Sequence, residues 1–98
     1  MEALKLSPNL AVKGELELRE GVKVELIGMT VRKAREIFSN KSLSDFDKGI
    51  HAIAAKVRIN GQAVVFDDLC DSFTDSELTR VVEWIAKVEG SEDPEKNG

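Results

Sequence analysis

Apolar and polar residues alternate along the first third of the chain, which is the period of a half-buried β-strand. A three-residue loop at residues 19–21 pairs Leu18 with Val22 and ends on a glycine, which such loops need at their left-handed position. The same loop pairs Leu16 with Val24, whereas a two-residue turn would separate the apolar sets onto opposite faces. The pattern therefore predicts antiparallel strands with one apolar face. The alternating apolar residues are Leu4, Leu6, Leu10, Val12, Leu16, Leu18, Val22, Val24 and Leu26.

Two further loops extend the set of predicted strands. Residues 13–15 also contain a glycine, and they can join a strand over residues 10–12 to the strand that follows. Asn60-Gly61 is the strongest two-residue turn signal in the chain. This turn pairs Val57 with Val64 in a short hairpin. The sequence thus predicts a meander near the N-terminus and a small hairpin in the middle of the chain.

The apolar spacing changes to that of a helix after residue 29. Thr30 can cap a first, short helix. Ser44 with Asp47 offers a second capping pair, which opens a helix over residues 45–56. Each helix has one apolar stripe, which we expect to face the core. The stripes are Val31, Ala34, Ile37 and Phe38 in the first helix and Phe46, Ile50, Ile53 and Val57 in the second.

Two more helical segments follow the predicted hairpin. Residues 67–72 are expected to form a single helical turn. Thr74 and Glu77 form a capping box, which opens a longer helix that ends at Gly90. Residues 91–98 contain no apolar residue, so we expect a disordered tail. The apolar stripe of the last helix is Leu78, Val81, Val82, Ile85 and Val88.

These elements predict an α+β fold in which a small N-terminal antiparallel β-meander packs against three to four α-helices. Residues 1–90 are expected to form a single domain, and residues 91–98 are the tail. The residues expected to be buried lie on the apolar sides of the strands and helices. They are Leu16, Leu18, Val24, Phe46, Ile50, Ile53, Leu78, Val82 and Ile85.

Composition restricts the classes of function. The chain has 98 residues, of which 42% are apolar and 33% charged, as in a globular protein with a solvated surface. Its formal charge of −4 argues against a nucleic-acid partner, because neutralising phosphates requires clustered Lys and Arg. A single cysteine excludes an internal disulfide and fits a reducing compartment. No signal peptide and no apolar run of about 20 residues is visible, so we expect a cytoplasmic protein without a membrane partner.

No catalytic, cofactor-binding or metal-binding motif is apparent, so we predict that the protein is not an enzyme. Asp67, Asp68 and Asp71 lack the alternating ligands and central glycine of a calcium loop. Acidic residues at the start of a short helix are expected from the helix dipole alone. Cys70 would need an activating histidine to act as a nucleophile. The single histidine, His51, is expected on an exposed flank of its helix, and Cys70 is expected to pack as a small apolar residue.

Two features are candidates for contacts with a partner. Arg32, Lys33 and Arg35 lie on the polar side of the first helix, where they either stay solvated or contact an acidic partner. Trp84 lies at the margin of the last helix's apolar stripe, so that core-edge packing and an interface role are both open. The predicted partner-binding residues are therefore Trp84, Arg32, Lys33 and Arg35.

Three segments of the chain resemble the tail assembly chaperones of long-tailed bacteriophages, in particular the small Mu-like group. They are LREGVKVELIGMTVRKAREI, IHAIAAKVRINGQAVVFDDLCD and ELTRVVEWI. Each is a pattern of apolar spacing, and none is a catalytic signature. The resemblance implies a binding protein that keeps the long, helical tape measure protein soluble and helps to recruit tail tube protein around it. No residue-level binding motif carries over from the family. For Trp84 and the basic residues of the first helix, contacts between copies of this chain are an alternative to contacts with a partner.

The resemblance has one further implication, which concerns translation. Many such chaperones are made in two lengths by programmed frameshifting. Residues 95–97, Glu-Lys-Asn, can be encoded by the slippery run A-AAA-AAC. The corresponding hypothesis is that this chain is the short form, and the alternative is a solvated tail with arbitrary codons. The codons of the gene decide between the two.

Two other classes of function remain open. A small acidic inhibitor or nucleic-acid mimic would gather its carboxylates on one face, whereas this sequence interleaves them with Lys and Arg. A small enzyme would need His51 and Cys70, or a group of carboxylates, to converge. We rank the inhibitor second, after the chaperone.

Overall fold

In a computed structural model of the protein, which describes residue 7 and residues 9–91, an antiparallel sheet packs against helices through one face. The strand order β1-β2-β3-β4 follows the chain. This arrangement confirms the predicted α+β class in a single domain. Leu4, Leu6 and residues 92–98 of the predicted tail lie outside the described residues. The elements are β1 (Gly14–Arg19), β2 (Val22–Leu26), α1 (Val31–Phe38), α2 (Asp45–Lys56), β3 (Val57–Ile59), β4 (Gln62–Ala63), α3 (Phe66–Ser72) and α4 (Asp75–Ser91).

The first hairpin confirms the predicted sheet but not the predicted loop. Leu16 lies opposite Val24, as expected. Arg19 rather than Leu18 lies opposite Val22, because a bulge at the end of β1 adds one residue to that strand. The two-residue turn that follows ends on a glycine with a φ of +80°. The bulge turns Leu18 onto the same buried face as Val24, which a regular two-residue hairpin would not do.

Side chains from the C-terminal half of the chain stabilise this bulge. Arg80 of α4 donates a hydrogen bond from Nη1 to the main-chain carbonyl of Leu18, at 2.9 Å. Arg19 donates to the carboxylate of Glu77, with 3.0 Å between Nη1 and Oε1. Glu77 also closes the predicted capping box with Thr74, since its main-chain N–H lies 3.2 Å from the threonine hydroxyl. The start of α4 is therefore attached to the edge strand of the sheet.

The strand predicted over residues 10–12 does not form. Leu10 and Val12 are exposed, and β1 begins at Gly14, the residue that the prediction placed in a loop. A Cβ atom at Gly14 would lie 3.4 Å from the ring of Trp84, which is van der Waals contact, so α4 packs closely on β1 at this point. The glycine lies in the strand because it pairs with Leu26 across the first hairpin.

The second hairpin joins the same sheet as the first. Asn60 and Gly61 have φ values of 52° and 78°, which is the pair of left-handed residues predicted for this turn. The hairpin pairs Arg58 with Ala63 and Ile59 with Gln62, so the paired residues end one position before the predicted pair of Val57 with Val64. Asn60 also accepts a hydrogen bond from the main chain of Lys23 at 2.9 Å, which links the hairpin to β2.

The helices follow the predicted caps. Thr30 accepts a hydrogen bond from the first turn of α1, and Ser44 does the same for α2, whose bounds are those predicted. α3 begins at Phe66 and is longer than the single turn expected, while α4 extends one residue past Gly90. Among the helices of the described residues, none is both long and apolar enough to cross a membrane.

The core lies between the sheet and helices α2, α3 and α4. Leu18, Val24, Ile50, Ile53 and Ile85 are buried as predicted, whereas Leu16 and Leu78 are only half-buried. The prediction is wrong for Phe46 and Val82, which are 69% and 46% exposed. The apolar stripes of α2 and α4 are wider than the surface that the sheet covers, so one edge of each stripe stays outside. Buried residues absent from the predicted core are Leu26, Ile27, Ile37, Ala52, Ala54, Val57, Leu69 and Val81.

Candidate binding groove

Helices α2 and α4 leave an open groove between them. α4 packs mainly on β1, while α2 packs mainly on α1, α3 and β3. At their base, the facing sides of the two helices contribute Ile50, Ile53 and Ile85 to the common core. Above this base the helices enclose a space of roughly 430 Å³, here named the α2–α4 groove.

The apolar edges that remain outside the core form the two lips of the groove. Phe46 projects from α2 and Val82 from α4, and both line the groove. Since they are 69% and 46% exposed, much of their surface is in contact with water. An apolar surface that is accessible and concave is the usual form of a site for a protein or ligand partner.

Several residues that line the groove have small side chains, which project little from the two helices. Gly49, Ala52 and Ala86 all line it. A Cβ atom built at Gly49 would meet no atom within 4 Å, so the wall is open at that point. A partner backbone can therefore approach α2 more closely here than it could along a wall of large side chains.

The groove continues toward α3 as a second, smaller recess of roughly 220 Å³. Phe46 and Leu78 line both spaces, and Phe73 and Leu69 extend the apolar lining beyond them. The joined surface runs along the whole of α2. Its twelve residues correspond to a length of about 18 Å at 1.5 Å per residue.

The charged residues at the two ends of the groove differ. At one end Lys56 pairs with Glu89, with 3.1 Å between Nζ and Oε2. At the other end Asp45 lines the groove and Asp75 lines its continuation. Among the described residues, no ion pair joins either of these two aspartates to a cation. The groove therefore has a neutralised end and an acidic end.

The residues predicted to bind a partner lie outside this groove. Trp84 is half-buried and packs beside Gly14 on β1, so core-edge packing is the role that its contacts show. Arg32, Lys33 and Arg35 are exposed on α1, as predicted, and Lys33 lies 3.8 Å from the carboxylate of Glu36. The tryptophan and the basic residues thus belong to different parts of the molecule.

Helix α1 buries less of its apolar stripe than predicted. Ile37 is buried, but Val31 is 87% exposed and Phe38 is 51% exposed. The helix rests mainly on α2, which covers only one side of it. Val31, Arg35 and Phe38 have the i, i+4, i+7 spacing of one helix face, and together they are named the α1 ridge.

His51 lines a recess beside α1, whereas Cys70 lines the recess beside α3. His51 is half-buried rather than exposed, because its ring stacks on Phe66 with 4.4 Å between the centroids. Cys70 is exposed rather than packed, since the neighbouring Leu69 occupies the core position of α3. Although the residue is exposed, local desolvation of the thiol raises its pKa, and the charges of Asp67 and nearby acids add to the shift. A raised pKa disfavours the thiolate, which is the reactive form.

The acidic residues of α3 have local structural contacts. Asp68 accepts a hydrogen bond from the main-chain N–H of Val65 at 2.9 Å, which caps the helix. Asp67 and Asp71 are exposed. Within the part of the chain that the structure describes, no group of three or more His, Cys, Asp or Glu side chains is arranged to hold a metal ion.

Sequence reasoning missed the two lip residues, Phe46 and Val82, because it placed both in the core. A usable signal was present in α4, where apolar residues cover more of the helix than one core-facing stripe requires. In α2 the corresponding signal was weaker, since Phe46 continues the i, i+4 spacing of Ile50 without a break.

The chain matches no protein-family model, no curated protein and no solved structure. Fold and site together define a small α+β protein with an apolar groove between two helices. The resemblance to tail assembly chaperones remains a prediction from the three sequence segments.

Proposed function

We propose that this chain is a non-enzymatic tail assembly chaperone of a phage or prophage. In this proposal the α2–α4 groove holds an amphipathic helix of the tape measure protein, and the complex helps to recruit tail tube protein in the host cytoplasm. The observation that supports it is the open apolar groove with Phe46 and Val82 at its lips. Amphipathic helices bind such grooves through apolar anchors at i, i+3 or i+4, and i+7.

The dimensions of the groove fit this kind of ligand. A surface about 18 Å long accommodates about three turns of a partner helix, enough for three or four apolar anchors. The base is apolar and pre-formed, because Ile50, Ile53 and Ile85 are fixed in the core. A partner helix would therefore cover Phe46 and Val82 without any rearrangement of the sheet.

The charge distribution gives less support to an acidic inhibitor or nucleic-acid mimic. On the polar side of the sheet Glu15 lies 3.5 Å from Lys23, so a cation is placed among the carboxylates. Arg58 lies opposite Glu25 in the neighbouring strand pair. Such alternation does not reproduce the row of negative charges that mimicry of nucleic acid requires.

A binding assay with paired valine variants tests the role of the groove. The probe is a labelled amphipathic helical peptide of about 15 residues, with leucines at helical spacing and lysines elsewhere, followed by fluorescence anisotropy. Val82→Ser removes one lip anchor and should weaken binding about fivefold to tenfold, since an interface anchor contributes about 1 kcal/mol or more. Val65→Ser is the matched control, because Val65 is 62% exposed and lies outside the groove.

A scrambled peptide of the same composition controls for attraction between its lysines and the acidic protein. Equal losses of affinity in the two valine variants, or equal binding of the scrambled peptide, would show that the groove is not the site. The identity of the partner needs a separate test. Co-expression with the tape measure protein of the same genome should keep that protein soluble, and Val82→Ser should reduce the soluble fraction. A genome in which no tape measure gene neighbours this one would argue against the chaperone.

A further inference from the structure

The α1 ridge is an apolar surface that the rest of the described chain leaves uncovered. Val31 and Phe38 lie seven residues apart on one face of α1, with 87% and 51% exposure. Arg35 lies between them, and Arg32 is nearby on the same helix. Exposed apolar residues at this spacing, flanked by cations, are the pattern of a helix that docks into a groove.

The α2–α4 groove has the complementary chemistry. Its base and lips are apolar, and its open end carries Asp45 and Asp75. The one lysine that lines it, Lys56, is already paired with Glu89. A basic, apolar helix therefore fits the groove better than an acidic one, because Arg35 would face two carboxylates that no ion pair among the described residues neutralises.

The ridge cannot reach the groove of its own chain. α1 rests against the side of α2 that carries His51 and Ala54, which line a cavity together with Ile37. The groove lies on the opposite side of α2, which carries Ala52 and Ile53. At 100° per residue, the mean direction of residues 51 and 54 lies about 150° from that of residues 49 and 53. Only a second molecule can bring an α1 ridge to the groove.

We propose that the α1 ridge of one copy of this chain docks into the α2–α4 groove of a second copy. Val31 and Phe38 would contact the apolar lining, and Arg35 would lie near Asp45. This proposal rests on the proposed function in one respect, because both use the same groove. A partner helix and the α1 ridge compete for that surface, so self-docking would regulate access to the groove. Self-association would cover the apolar lips until the partner is present.

The symmetry of this contact determines the kind of assembly. Ridge and groove are different surfaces, so the contact is head-to-tail, and such contacts give rings or open chains rather than a closed dimer. An eight-residue helix buries a small area, so the association is transient and requires high protein concentration. The pairing of Arg35 with carboxylates makes it weaker at high salt.

Sedimentation velocity of the full chain across a concentration series tests the proposal. The wild-type mass should rise with protein concentration and fall when salt is added. A ridge variant, Arg35→Glu with Phe38→Ser, and a groove variant, Phe46→Ser with Val82→Ser, should each lose this rise and stay monomeric. Val65→Ser serves as the control and should associate like the wild type. Circular dichroism confirms that every variant is folded.

Mixing the two variants is the decisive experiment. The groove variant keeps an intact ridge and the ridge variant keeps an intact groove, so the mixture should form a 1:1 dimer that does not grow further. A wild type that stays monomeric at every concentration overturns the proposal, as does a mixture that stays monomeric while the wild type associates. Binding of the helical probe peptide to the ridge variant reports on the proposed function separately, because its groove is free. If the peptide binds while the wild type stays monomeric, the groove remains the binding site of the proposed function, and the self-docking proposal is refuted.

Discussion

Phe46 and Ile53 lie on the same helix, and both were predicted to be core residues, but in the structure only Ile53 is buried. Ile53 is 8% exposed, whereas Phe46 is 69% exposed. Truncating a buried isoleucine to alanine costs about 2–5 kcal/mol, so we expect Ile53→Ala to lie in this range. Truncating a fully buried phenylalanine to alanine costs about 3–5 kcal/mol. Only about a third of the Phe46 side chain is buried, so the corresponding cost is about 1–1.5 kcal/mol. Alanine also favours the helix by up to about 0.7 kcal/mol, which leaves a net cost for Phe46→Ala of about 1 kcal/mol or less.

Urea denaturation followed by circular dichroism at 222 nm measures both free energies of unfolding in water. Wild type, Phe46→Ala and Ile53→Ala are compared at a low protein concentration, at which the transient self-association adds little to the stability of any of them. Equal slopes of free energy against urea show that the same surface is exposed on unfolding. If Phe46→Ala destabilises the protein as strongly as Ile53→Ala, Phe46 is a core residue, and the groove has no aromatic lip.

Three further predictions follow from local contacts. Asn60→Gly keeps the positive φ of this turn residue but removes the two hydrogen bonds of its side chain to the first hairpin, at 2.9 and 3.0 Å. We therefore expect thermal or urea unfolding to show that the protein is less stable by about 1–3 kcal/mol. An unchanged stability would contradict this. Gly14→Val places a branched side chain against Trp84 and should lower the free energy of unfolding by about 1–3 kcal/mol. A shift in Trp84 fluorescence is the second readout. An unchanged stability would mean that α4 does not pack closely on β1. Desolvation and neighbouring carboxylates raise the pKa of the Cys70 thiol, so iodoacetamide should alkylate the folded chain more slowly than the urea-unfolded chain near pH 8.5, and equal rates would refute the shift. Because the folded pKa is the higher one, the stability linked to this thiol is present below the unfolded pKa and is lost as the pH rises.

Local signals in the sequence predicted one turn and the N-terminal caps of three helices, whereas the loops predicted at residues 13–15 and 19–21 did not form as expected. Asn60-Gly61 adopts the left-handed conformations that its residue types favour, and Thr74 with Glu77 forms the capping box. These features depend on residues close in the chain, so their physical cause is visible in the sequence.

Features that depend on distant contacts were not predictable in the same way. The bulge in β1 is stabilised by Arg80, which is 62 residues away from the carbonyl of Leu18. The close approach of α4 to β1 places Trp84 directly beside Gly14, 70 residues earlier in the chain. Both contacts hold α4 against β1. The groove depends on the position of α4 on the sheet, and the apolar spacing within α2 or α4 does not predict that position.

The candidate site was therefore predicted less well than the fold. The sequence marked Trp84 and the basic residues of α1 as surfaces for a partner, and the structure leaves the basic residues exposed while Trp84 packs on the sheet. Phe46 and Val82 have the same chemical nature as their buried neighbours. Only their distance from the sheet distinguishes them, and that distance is a property of the three-dimensional packing.

An NMR titration of ¹⁵N-labelled protein with the amphipathic helical peptide tests the role of the groove most directly. We expect the amide signals of residues 45–56 and 78–89 to shift together and to saturate, because these residues form the two walls. The indole signal of Trp84, the single tryptophan of the chain, should move little, since its ring packs on β1. Shifts that concentrate on the polar face of the sheet or on the Trp84 indole, with α2 and the groove side of α4 unaffected, would contradict helix binding in the groove.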